Sequence, residues 1–179
     1  DKVKPEREHN PRDKYRRQWW LAAEPRRNFR LALQGLSRYI ATSRTSRHRT
    51  FQFLPNNVMG ETKVLLVAGD NAALLAILSS IVHVIFANAT GGWLGVGNDS
   101  TYNHSDCFEK FAFPRHDKTD YLRPLGEQLD AHRKRQQAQH PELTLTGMYN
   151  VLEKLKTGEA LNAKEKIIHE QGLVSVLKQ

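Results

Sequence analysis

Four side chains that could hold a polyanion fall within six residues: Arg44, Arg47, His48 and Arg49, inside the segment "SRTSRHRTF" (43–51). Ser43, Thr45 and Ser46 add hydroxyl groups to the same stretch. Nucleic-acid recognition needs cations for the phosphates and forked or hydroxyl donors for base edges. Arginine suits both tasks because its planar fork stays charged and binds two acceptors at once. The plainer alternative is a solvated hairpin tip, since charged turns on protein surfaces are common.

Other chemistries are less well supported. In "GGWLGVGNDSTYN" (91–103), Gly92 and Gly97 have the spacing of a phosphate-binding loop. Asn98 and Asp99 stand where such a loop needs Lys and Ser/Thr, so the ammonium and the magnesium ligand are missing. Glu61-Thr62-Lys63 resembles half of a metal-dependent nuclease site. The nearest upstream aspartate is Asp13, so the second carboxylate is lacking. No pair of the eight histidines has HExxH spacing, and His83 inside an apolar run reads as a packed ring. The single cysteine, Cys107, excludes a disulfide framework and a cysteine-based zinc site.

The net charge of +8 is uneven. Residues 1–50 hold 14 Lys+Arg against 5 Asp+Glu, residues 51–113 hold 2 against 5, and residues 114–179 hold 11 against 9. A basic balance confined to one third of a chain is the electrostatic footprint expected of a nucleic-acid partner. Charged residues make up 26% of the 179, and no run of 18 apolar residues occurs, so no membrane partner is expected. The lone cysteine fits a reducing cytoplasm. The chain does not begin with Met and reads as an excised piece of a longer protein.

These residues need elements to position them. Residues 1–18, almost without apolar content, read as an extended arm, with Trp19 and Trp20 as an anchor. "PRRNFRLALQGL" (25–36) has a first-turn proline and the apolar pattern of a helix. "RYIATS" (38–43), "TFQFL" (50–54) and "KVLLVA" (63–68) are strands by β-branched and aromatic content. Asp70 is the expected N-cap of one helix over 71–88, apolar nearly all round and so covered on both sides. "CFEKFAF" (107–113) reads as a last strand before Pro114. Helical patterns cover 121–139, 144–157 and 163–178. Leu122, Leu125 and Leu129 form one stripe. Leu143, Leu145, Met148, Val151, Leu152 and Leu155 form another. The sequence thus predicts an α+β domain over 19–115, preceded by a basic arm (1–18) and followed by a helical segment (116–179).

Several segments occur in an order that resembles a known family: "VKPERE", "WW", "GLSRYIATSRTSRHRTFQFLP", "LLAILSS", "WLGVGNDSTYNHSDCFEKFAFP" and "LTLTGMYNVLEKL". They look like the C-terminal part of MmeI-like DNA methyltransferases of type IIL/IIG restriction–modification systems. The resemblance implies a target recognition domain similar to those of TaqI-like enzymes and type I specificity subunits, followed by a helical spacer. It also implies duplex DNA as partner and an upstream domain that methylates adenine N6 with S-adenosylmethionine. This chain has neither a Pro-Pro pair nor a Phe-x-Gly-x-Gly segment, so no cofactor and no catalytic residue is expected in it. On this reading Arg44, Arg47, His48 and Arg49 are the first candidates for DNA contact. Asn98, Tyr102 and Asn103 are the second, because asparagine can pair bidentately with adenine. Trp93 and its neighbouring glycines are expected to build scaffold. The alternative is a stand-alone specificity subunit that recruits separate methylase and nuclease chains.

Overall fold

The computed structural model describes residues 2–21, 26–97, 99–115 and 119–178. Its contacts divide the chain into two compact units, Asp1–Gly35 and Leu36–Gln179.

The first unit carries α1 (Val3–Glu8), α2 (Asp13–Arg17) and α3 (Arg27–Ala32). Residues expected as an extended arm are therefore partly helical. Lys, Arg and Glu are good helix formers, and low apolar content does not remove that preference. The fold of the arm is local. Asp13 pairs with Arg16 and Arg17 at 3.1 and 2.8 Å. The Arg7 guanidinium donates to the Trp19 carbonyl at 2.8 Å and to that of Leu21. The indoles of Trp19 and Trp20 meet edge-on with centroids 5.9 Å apart. The first-turn proline expected at 25 lies outside the described residues.

The second unit is α+β, with two three-stranded antiparallel sheets. The strands of "RYIATS", "TFQFL" and "KVLLVA" appear as β1 (Arg38–Ser43), β3 (Gln52–Pro55) and β4 (Val64–Val67). β1 is central, in the order β3-β1-β4, and Tyr39 to Thr42 are all buried. A strand covered on both faces favours this unbroken β-branched and aromatic run. The second sheet, β2-β6-β5, is built from short strands: β2 (Thr45–Ser46), β5 (Trp93–Leu94) and β6 (Asp99–Thr101).

The apolar stretch after Asp70 forms two helices, α4 (Ala72–Ser79) and α5 (Ile81–Thr90), bent by 61°. Ser80 is extended and its hydroxyl accepts from the His83 amide at 3.3 Å, so it caps α5 and ends α4. Asn71, not Asp70, caps α4 by accepting from the Ala73 amide at 2.9 Å. The outer face of α5 is uncovered: Ile81, Val82 and Ile85 are exposed. No single helix among the described residues is long and apolar enough to cross a membrane, although α4 and α5 together would pass by composition.

No strand forms over 107–113: Cys107 and Phe108 end a π-helical turn, His104–Phe108, and the residues that follow are turn and irregular chain. The aromatic residues of 107–113 pack around a point rather than alternating across a sheet. Phe111 meets the His83 ring at 4.5 Å, and Phe113 lies 5.0 Å from Phe111. The main core joins Ile40, Phe51, Phe53 and Leu65 to Leu75 and Leu78 of α4, with Tyr102 and Cys107 closing it.

After a 3-10 turn at Asp120–Leu122 come α6 (Arg123–Gln139), α7 (Leu145–Thr157) and α8 (Ala163–Gly172). The stripe from Leu143 to Leu155 lies in a second core cluster with Val174. Of the expected stripe, Leu122 and Leu129 are half-buried and Leu125 is exposed, while the buried residues of α6 are Gly126, Asp130, His132, Arg133 and Gln136. Polar groups win because α6 covers the edge strand β3, whose backbone needs partners. Asp130 Oδ1 accepts from the Phe53 amide at 2.9 Å, and Arg133 donates to the Phe51 carbonyl at 2.8 Å. Gly126 lets α6 approach α4: a Cβ there would meet the Ala72 carbonyl oxygen at 2.0 Å. The helical segment thus shares one compact unit with the sheets.

Candidate nucleic-acid interface

The basic turn joins the two sheets. β1 ends at Ser43, and β2 begins two residues later. The Arg44 amide donates to the Lys63 carbonyl at 2.7 Å, and the Arg44 carbonyl accepts from the Tyr102 amide at 2.7 Å. The Arg44 side chain is exposed, with Nε donating to the Thr62 carbonyl at 2.9 Å. The hydroxyls of Ser43 and Ser46 donate to the carbonyls of Thr45 and His48, at 3.0 and 2.8 Å. They therefore fold the turn rather than extend from it.

The remaining basic residues diverge. Arg47 is exposed and pairs with Glu153 of α7 at 3.1 Å. His48 is half-buried, and its Nε2 donates to Asn150 Oδ1 at 2.7 Å. Tyr149 lies beside it, with ring centroids 6.0 Å apart. Arg49 is buried, which corrects its assignment to DNA contact. Its guanidinium donates to Thr42 Oγ1 at 3.3 Å, to the Ser43 carbonyl, and to the Ser100 carbonyl and hydroxyl at 2.8 and 3.2 Å. It thereby ties β1 to β6. It sits 5.1 Å from the Tyr102 ring centroid, a cation–π contact. Burial lowers its pKa from the usual range.

Tyr102 is also a correction. It is buried, and its hydroxyl shares a hydrogen bond with His83 Nε2 at 2.9 Å. Burial, reinforced by Cys107, raises its pKa above the ordinary tyrosine range. Burial, with the nearby Arg49 charge second, lowers the His83 pKa to about 4, so this ring is neutral near pH 7. His83 is the packed ring the sequence predicts. Asn103 Oδ1 accepts from the Asp106 amide at 2.7 Å and caps the π-helical turn, so its carbonyl oxygen is engaged. Asn98 lies outside the described residues. Trp93, expected as scaffold in the core, is half exposed.

The exposed basic side chains of the turn are thus Arg44 and Arg47, on either side of β2, with His48 half-buried. Three residues of α7 support the turn: Tyr149, Asn150 and Glu153. Sequence reasoning missed these, because they lie about a hundred residues downstream and no local motif links them to the turn. Glu61 and Lys63 are both exposed. Among the described residues, no three His, Cys, Asp or Glu side chains are grouped to hold a metal ion. Comparison with protein-family models, with curated proteins and with solved structures returned no match for this chain.

Proposed function

We propose that this chain is the duplex-DNA recognition module of a site-specific DNA adenine-N6 methyltransferase of a restriction–modification system. Methyl transfer would then belong to a separate S-adenosylmethionine-binding domain of the same protein. The observation that carries the reading is the exposed Arg44–Arg47 pair on a turn tethered to Thr62 and Lys63 just before β4, to Tyr102 just after β6 and, through His48, to Asn150 of α7. Cations held on a rigid support lose little freedom when a phosphate arrives, which favours binding. The second support is the sequence resemblance, which spans nearly the whole chain. Arg49 and Tyr102 serve this function indirectly, by locking together the strands that carry the turn.

The test is binding to a mixed-sequence duplex over a series of salt concentrations. Affinity falls as salt rises, because phosphate contacts release counterions. Double charge reversal, Arg44→Glu with Arg47→Glu, weakens binding to all duplexes and flattens the salt dependence by about two in slope. Unchanged affinity in the double variant would remove the turn from the interface. Equal or better binding of double-stranded RNA would redirect the reading to an RNA partner.

A further inference from the structure

The second sheet also carries an apolar tip. β5 consists of Trp93 and Leu94, respectively 50% and 55% exposed, and Val96 beyond them is 95% exposed. Gly95 and Gly97 flank Val96 with φ of +67° and +87°, a left-handed backbone that other residues rarely adopt. The Gly97 amide donates to the Leu94 carbonyl at 3.2 Å and closes the turn. Residues 91–97 contain no charged side chain.

The register places this tip beside the basic turn. Ser46 of β2 and Trp93 of β5 both stand opposite Ser100 of the central strand β6. Leu94 stands opposite Asp99, one step nearer the tip. β2 runs antiparallel to β6, so the chain leaves Ser46 for Arg47 at the end of the sheet where the hairpin turns. An exposed guanidinium and an uncharged apolar tip therefore share one end of a three-stranded sheet. A duplex drawn in by Arg47 brings its groove to the tip. Its backbone offers a carbon surface little, whereas the stacked bases offer apolar area to an inserted side chain. A two-stranded ribbon is narrow enough for the major groove.

We propose that the tip of the β5–β6 hairpin, Val96 with Leu94 behind it, is an apolar wedge that enters the base stack of bound duplex and partly unstacks neighbouring pairs. The inference rests on the DNA-binding reading above. Unstacking costs roughly a few kcal/mol per step, so DNA that is already unstacked at one point binds more tightly.

The test uses the whole chain and two duplexes of one mixed sequence, one fully paired and one with a central abasic site. The abasic duplex binds about tenfold or more tightly to the unaltered chain. The double variant Leu94→Ser with Val96→Ser loses the preference and binds the two duplexes equally. 2-Aminopurine beside the abasic site reports the same loss as reduced fluorescence enhancement. Equal affinity for both duplexes, or an equal preference in the variant, overturns the wedge and leaves DNA binding intact. No binding to either duplex at low salt overturns the DNA reading itself. Self-association that disappears in the variant assigns the tip to a second copy of this chain and overturns the wedge.

Discussion

Glu153→Gln isolates what α7 does to the basic turn. In the folded chain Glu153 holds Arg47 across 3.1 Å with both side chains about half exposed. An ion pair this open contributes at most about 1 kcal/mol to stability, so the variant folds normally. For a phosphate approaching Arg47 the same carboxylate is a competitor and a like charge. Removing it relieves up to about 1 kcal/mol, which is roughly fivefold in affinity at low salt. The salt dependence steepens by about one in slope, because Arg47 then engages a phosphate fully. Glutamine keeps the length of the side chain and a carbonyl for the guanidinium, so packing is preserved. Fluorescence anisotropy with a labelled duplex at several salt concentrations reads both quantities. Glu159→Gln, which makes the same charge change just beyond Gly158, is the control. Equal tightening in both variants, or none in Glu153→Gln, refutes the reasoning, because the effect would then be net charge or nothing.

Three further outcomes follow from the interior. Arg49→Ala leaves the carbonyl of buried Ser100 and that of Ser43 without their donor and lowers unfolding stability by about 2 kcal/mol or more. Arg47→Ala stays within about 0.5 kcal/mol, and urea denaturation distinguishes the two. His83 makes stability depend on pH: its pKa is lowered on folding from 6.5 to about 4, so the unfolded chain binds the proton first. Its contribution is complete above about pH 6.5 and is lost as pH falls towards 4, by up to about 3 kcal/mol. His83→Phe flattens that window, and an unchanged slope would show that the ring does not titrate there. Gly126→Ala drives a methyl into the Ala72 carbonyl and forces α6 off α4. A loss of at least about 1 kcal/mol is expected in thermal melts; an unaffected melt would show that the two helices separate freely.

Elements with an undivided pattern could be read directly. "RYIATS" is strand from Arg38 to Ser43, and the apolar stripe of α7 lies in a core cluster. Capping chemistry at Ser80 was visible in the sequence but was outweighed by the apolar run on either side of it. The polar buried face of α6 was hidden for a different reason. Asp130 and Arg133 face inward only because a strand edge 77 and 82 residues away needs hydrogen-bond partners. At the candidate site, local composition correctly exposed Arg44 and Arg47. It could not separate them from Arg49, because what distinguishes Arg49 is Ser100 on a strand 51 residues later.

The bonds from α6 to β3 also define what can be inherited as a piece. A segment donated from one gene to another must carry its own backbone partners. A crossover near residue 115 would deliver a sheet whose edge amide at Phe53 and carbonyl at Phe51 have lost Asp130 and Arg133. The sheet therefore has to travel with its helices, at least as far as Gln139, or meet a recipient whose helix offers the same two side chains at the same height.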